Sequence, residues 1–355
     1  MSTEPTSIKV VAIGGGTGLS TLLKGLKHFD RRGAYHAPDS GREVFISGLT
    51  AIVTVTDDGG SSGRLRKDFN ILPPGDIRNC LVALSEDEEL LSQLFQYRFK
   101  AGAGLEGHNF GNLFVAALTE ITGDFAMAVK VSSAILKTRG VIYPSTVSNV
   151  QLEALMDDGS RVQGETNISR SKQRIVELFM IPADAQPLPQ ALKAIAEADL
   201  ITLGPGSLYT SLISNLIVSG IPQAIAASGA VKVFVCNLMT QANESLGLSA
   251  ADHLRALEDH AKTQIFNYAL LNTRPVSAAL KEKYAAEGAE QIRVDLDAIR
   301  KMGLEPICGD FLEEVAGVAR HATRALAQAL LALADDEGKH SQQMAGISAK
   351  KRGSR

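Results

Sequence analysis

The chain has 355 residues, a formal net charge of -3 and 45% hydrophobic residues, enough for one large α/β domain or two smaller ones. With 5% aromatics, no Trp and a basic run only at its very end, it excludes a nucleic-acid surface, which needs a basic stripe and stacking rings. No uninterrupted apolar run approaches the ~18 residues of a membrane span. The start, Met-Ser-Thr-Glu-Pro, has neither the basic nor the apolar region of a signal peptide. Cys80, Cys236 and Cys308 lie far apart, which reads as three buried thiols in a reducing cytoplasm.

In chain order, Ile8–Ile13 reads as a buried strand. Gly14, Gly15, Gly16, Thr17 and Gly18 then form a turn almost without side chains. Leu19, Leu22, Leu23 and Leu26 follow at the spacing of a helix laying one stripe on a sheet. A strand, a bare turn and a helix start make an anion site, because free amides and the positive end of the helix dipole face the same point. Leu19 stands where the dinucleotide fingerprint wants Gly or Ala, and no Lys-Ser or Lys-Thr follows, so neither standard phosphate motif is present. Residues 31–42 read as a surface excursion.

The β-branched run 51–56 predicts a second parallel strand. Asp57 and Asp58 at its carboxyl end, with Ser61, Ser62 and Arg64 beyond, sit where open α/β sheets bind ligands. They suit sugar hydroxyls, a divalent cation or proton abstraction. Residues 73–79 lead into a helix through Leu84, with Asp76 as an N-cap and Arg78 in the first turn. Ser85 and Glu88 suggest a capping box. His108, Asn109 and Asn112 gather at another glycine-bounded helix start, over Leu113–Ile121. Asp124 caps the next helix.

Alternation from Val147 to Phe179, with Asp158-Gly159 as a turn, predicts an antiparallel piece. The doubly wound pattern then resumes with a strand to Leu203. Gly204, Gly206 and Ser207 form a second bare turn into a helix. The strand to Asn237 ends in Asn237, Thr240 and Gln241, which suit a base or sugar. Ser249 caps a helix to His260. A strand to Asn272, a helix near 278–286, a short strand at 291–294 and a long helix from Glu313 to Ala334 complete the prediction. That last helix carries Arg320 and His321.

The loops Gly14–Gly18, Thr54–Gly63, Pro74–Arg78, Gly107–Asn112 and Gly204–Ser207, in that order, resemble the YvcK-type gluconeogenesis factor family within the CofD-like superfamily. The likeness spans roughly residues 8 to 330. It implies a Rossmann-like, doubly wound, mostly parallel α/β sheet over 1–334 as a single domain. The stretch 147–180 becomes an antiparallel insertion or oligomer arm, and 335–355 a disordered basic tail. It also implies a cytoplasmic protein that binds UDP-glucose and UDP-N-acetylglucosamine and serves growth on gluconeogenic carbon sources and cell shape. No reaction is attached to the family. Relatives similar in fold are magnesium-dependent 2-phospho-L-lactate transferases, whose second motif lacks the continuation seen here at Gly59–Gly63. The family's Arg-His-Asp pattern is matched by Arg320 and His321, but Ala322 replaces the acid.

Two readings follow. In the first, the Gly14 and Gly204 turns hold a UDP-sugar diphosphate. Asp57 or Asp58 and Asn109 or Asn112 engage hydroxyls, and Arg78, Arg320 or both balance phosphate charge. The bound state then alters contacts within a homo-oligomer or with a regulatory protein partner. In the second, Asp57 and Asp58 hold magnesium or accept a proton in a transferase acting on a nucleotide-activated donor. The absence of a nucleophile or acid–base dyad beyond the two aspartates favours the binding protein.

Overall fold

The computed structural model describes residues 5–37, 41–86 and 89–336. Its strands in chain order are β1 Thr6–Gly14, β2 Tyr35–His36, β3 Glu43–Val53, β4 Val141–Pro144, β5 Gln151–Met156, β6 Arg161–Gln163 and β7 Ile175–Ile181. They continue with β8 Leu200–Leu203, β9 Val231–Val235, β10 Tyr268–Asn272, β11 Glu305–Gly309, β12 Leu312–Val315 and β13 Val318–His321. The main sheet runs β11-β10-β9-β8-β1-β3-β2, and β4 pairs with β3. Every pairing in it is parallel except β2 with β3. From β1 the chain winds outward through β3 and β4. It then returns to the other side of β1 and winds outward through β8 to β11. The direction of winding reverses between β1 and β8, which makes that gap the topological switch point.

Sequence and burial agree along this spine. Val10, Val11, Ala12 and Ile13 are all buried, as a central parallel strand covered on both faces requires. In the helix Gly16–Leu26, Leu19, Leu22, Leu23 and Leu26 form the stripe against the sheet, each fully buried. The expected antiparallel piece is the sheet β6-β5-β7 with a short helix, Glu165–Arg170. Its Leu152, Ala154, Met156, Ile168 and Leu178 join the same buried core as the main sheet.

The structure corrects several expectations. Residues 312–321 are not helical: β12 and β13 form an antiparallel hairpin. Ala316 (φ 51) and Gly317 (φ 70) both take the left-handed conformation of a two-residue hairpin turn. The last helix starts at residue 323 and runs through 336, so Arg320 and His321 lie on a strand and Val315 is exposed. The remainder of the predicted tail, and Glu88 of the capping box, lie outside the described residues. The strand foreseen at 291–294 reduces to one bridge between Met239 and Gln291. Cys308 is exposed because β11 is an edge strand, whereas Cys80 and Cys236 are buried. The β3 strand begins at Glu43, eight residues before the apolar run shows itself, and a helix Gly60–Phe69 follows the aspartates in place of a loop.

Among the described residues no single helix is long and apolar enough to cross a membrane. The bent pair Leu208–Leu216 and Ile221–Ala227 has the composition, but its apolar residues pack in the core.

Candidate functional site

The two bare turns leave neighbouring strands at the switch point, where Ile13 of β1 pairs with Leu203 of β8. They touch directly. A methyl group on Gly18 would stand 2.2 Å from the Pro205 carbonyl oxygen, so the backbones approach as closely as only glycine permits. Asn215, fully buried, donates through Nδ2 to the Gly14 carbonyl (3.1 Å) and the Ser211 carbonyl (2.7 Å). Gly15 precedes the helix without a side-chain cap, leaving first-turn amides for a partner from elsewhere.

Part of that partner is internal. Asp76, in the first turn of the helix Gly75–Leu84, accepts from the Gly16 amide, and a methyl on Gly15 would stand 2.8 Å from its Oδ2. Burial, then the neighbouring Asp57, push the Asp76 carboxyl up to about 6. Asp57 accepts from the Gly59 amide (2.9 Å), and its Oδ2 would lie 2.8 Å from a methyl on Gly75. Glu165, from the insertion's helix, accepts from the Thr56 hydroxyl (3.2 Å). Its carboxyl is pushed well up by burial and then by Asp57 and Asp76. Glu244 accepts from the Thr210 hydroxyl (2.8 Å), and burial raises it too. Asp57, Asp76 and Glu244 all act on Glu165, so these acids lie near one another.

Hydroxyls, amides and basic groups adjoin these acids: a methyl on Gly75 would meet both Asp57 Oδ2 (2.8 Å) and Ser62 Oγ (2.6 Å). Ser61 and Ser62 open the helix Gly60–Phe69 and face the start of the helix Phe110–Thr122. Ser61 Oγ lies 3.1 Å from His108 Nδ1 and accepts from the Asn109 amide (3.2 Å). Asn112 Nδ2 reaches Ser62 Oγ at 3.4 Å. Burial, then Arg64, push the His108 imidazole down. Arg78 donates to Asn79 Oδ1 (2.7 Å), and its pKa is lowered by burial and then by Arg98.

The candidate residues divide by what they already do. Gly14–Gly18, Asp57, Ser61, Ser62, Arg78, His108, Asn109, Asn112 and Gly204–Ser207 gather round the cleft. Asp58 is committed elsewhere: its Oδ1 accepts from the Thr166 amide (2.8 Å) and hydroxyl (2.6 Å), anchoring the insertion's helix. Asn237 exchanges two hydrogen bonds with the Gly206 peptide, 2.9 Å and 2.6 Å, and so holds the second turn in shape. Ser207 does not cap its helix; its Oγ accepts from Gln241 Nε2 (3.1 Å). Asn109 is the N-cap of its helix, accepting from the Asn112 amide (3.2 Å). Arg320 is exposed on β13, while its neighbour His321 reaches the Cys236 carbonyl (3.1 Å) at the end of β9. Burial pushes His321 down to about 4. Sequence reasoning misses Glu165 as a member and misreads Asp76 as a cap.

A surface groove of 1170 Å³ lies elsewhere. Its lining includes Thr6, Asp199, Val231, Tyr268 and Glu305, at or beside the amino ends of the parallel strands. Ligands of doubly wound sheets bind at the carboxyl ends, so the groove is not the candidate site.

Fold and turns together define a doubly wound α/β protein with two glycine turns meeting at its switch point. A family model described as 2-phospho-L-lactate transferase CofD matches residues 10–312. The gluconeogenesis factor of Halalkalibacterium halodurans is 47% identical over 322 residues, covering 91% of this chain and 95% of that protein. That of Bacillus subtilis is 45% identical over 325 residues, covering 92% and 98%. A crystal structure of a Bacillus halodurans protein superposes with a TM-score of 0.85 at 46% identity, covering 92% of this chain and all of that one. The chain belongs to the CofD family, among its gluconeogenesis factors.

Proposed function

We propose that this chain is a regulatory protein that binds a nucleotide sugar, UDP-N-acetylglucosamine or UDP-glucose, in the cleft at the β1–β8 switch point. Through the bound state it serves growth on gluconeogenic carbon sources and cell shape. The observation that carries the reading is the direct contact of the Gly14–Gly18 and Gly204–Ser207 backbones, with Asp76 against the first turn and Arg78 close to Asp76 on the same helix. A nucleotide sugar has matching halves. Its hydroxyls donate to carboxylates such as Asp57, and its diphosphate accepts from backbone amides and from Arg78. Because Asp76 already occupies the Gly16 amide, the phosphate takes the remaining first-turn amides. Isothermal titration with UDP-N-acetylglucosamine tests this. The wild type is expected to bind, and Gly16→Glu, which sets a carboxylate on the turn, to give no heat. Equal heats from the two proteins would remove the turn from the site.

A transferase acting on a nucleotide-activated donor is the second reading, favoured by the carboxylates of Asp57 and Asp76 beside the turn. The relatives' magnesium does not fit the aspartate pair at the end of the strand run, since Asp58 is taken up by Thr166. Among the described residues no set of three His, Cys, Asp or Glu side chains is spaced to hold a metal ion.

A further inference from the structure

We propose that Arg78, together with Arg64 and Arg98, forms an oxyanion position at the start of the helix Phe110–Thr122, built to take a phosphate group. It deepens the nucleotide-sugar reading, on which it rests, by naming the phosphate subsite to which Arg78 belongs.

The placement is specific. Arg64 Nη2 donates to the Glu106 carbonyl (2.9 Å), and Arg98 Nη1 to the next carbonyl along, that of Gly107 (2.7 Å). Two guanidinium groups from separate segments thus grip consecutive peptides of one loop. A bridge between Arg98 and Asn109 ties that grip to the helix cap. Arg78 lies under the same helix start: a methyl on Gly111 would stand 2.8 Å from its Cγ and Cδ.

The charges are left unanswered. Each arginine uses a nitrogen on a neutral oxygen, and among the described residues none of the three forms an ion pair. Asp76 on the same helix and Asp57 act on Arg78, and Asp68 acts on His108, with no ion pair among the described residues from these acids to the three arginines. The arginines are near enough to act on their neighbours: Arg98 acts on Arg78, and Arg64 and Arg98 act on His108. Cations crowded at a helix's positive end are unfavourable without an anion.

Two buried atoms point to what fills the gap. Arg78 Nε is a donor without a partner, and Asn112 Oδ1, on a side chain only 3% exposed, is an acceptor without one. Buried polar groups are rarely left so. A phosphate supplies oxygens to the guanidinium groups in their preferred forked geometry. A hydroxyl or protonated oxygen of the same ligand supplies the donor that Asn112 lacks.

The test is isothermal titration of the full chain with inorganic phosphate, alone and with saturating UDP-N-acetylglucosamine. The Arg64→Ala/Arg98→Ala double variant and the Arg64→Lys/Arg98→Lys variant are compared with wild type. Both side chains are exposed, so the melting temperature should hold; if the alanine variant fails to fold, the lysine variant decides. Saturable phosphate binding is expected in the wild type, weakened about tenfold or more in the alanine variant and less in the lysine variant. If the nucleotide sugar abolishes phosphate binding, its own tail fills the position. If phosphate binding persists, the position serves a separate phosphorylated molecule. Absence of saturable binding, or equal affinity in all three proteins, overturns the proposal. Phosphate binding without any binding of UDP-N-acetylglucosamine would sink only the nucleotide-sugar reading.

Discussion

Asp76 shows what a single residue contributes and how sequence misreads it. Its place in a Pro-Gly-Asp turn suggests a helix cap. In the fold, Pro74 holds the cap position and Asp76 turns its carboxylate to the Gly15–Gly16 peptide instead. Burial, then Asp57, raise it from 3.8 to about 6, so the folded form keeps a proton between those values that the unfolded chain has lost. Stability is therefore full below the lower value and declines as pH rises through the window. Asp76→Asn should remove that slope and raise stability near neutral pH by about 1–3 kcal/mol. Urea unfolding at several pH values between about 4 and 8 measures it, and identical slopes in the two proteins would show that the carboxyl carries no such penalty. His321 works in the opposite sense. Its depressed value, about 4, makes its stability contribution fall as pH drops from the imidazole's ordinary range, so it partly masks Asp76 in the wild type.

At the scale of elements, the insertion is the part that sequence locates but does not explain. Its alternation and the Asp158-Gly159 turn place an antiparallel piece near 147–180, and β5, β6 and β7 occupy it. Its helix is only 6 residues long and has no side-chain cap of its own. Asp58 supplies the missing anchor, accepting two hydrogen bonds from Thr166. Arg66 adds a second tie, to Asn149 and the Val150 carbonyl. Asp58→Ala should destabilise the protein by about 1–3 kcal/mol and loosen the insertion first. Thermal melting and limited proteolysis mapped to residues 151–181 read this. A variant with wild-type melting and cleavage would mean that the anchor is dispensable. The last hairpin carries a different lesson. A helical stripe of Val and Leu extended backwards from residue 334 runs smoothly into 313, and only the left-handed pair Ala316 and Gly317 breaks it.

For the whole molecule, the decisive fact is the reversal of winding between β1 and β8. It brings to one rim groups from distant stretches, and sets acids such as Asp57 and Asp76 beside Arg78. On the binding reading, this rim holds a hydroxyl-rich anion through carboxylates and backbone amides without transforming it. Purified protein incubated for hours with UDP-N-acetylglucosamine is accordingly expected to return the nucleotide sugar intact, with or without acceptors. Turnover that is lost in Asp57→Asn would favour the transferase instead.

The local parts were legible because their causes are local. A buried strand, a glycine turn and a 3.6-residue apolar stripe are each written within about twenty residues, and the five glycine-bounded loops suffice to suggest the family. What touches what was not legible. Asp58 meets Thr166 across 108 positions, Asn215 supports Gly14 across 201, and Arg64 and Arg98 donate to the consecutive carbonyls of Glu106 and Gly107 only because the fold brings helix Gly60–Phe69 to that loop. A polar side chain takes whichever partner packing brings within reach, and strand order, which sets those meetings, is decided by the burial of whole faces rather than by any one segment. The sequence determined which residues could bind an anion; the tertiary structure decided which of them were left free to do so.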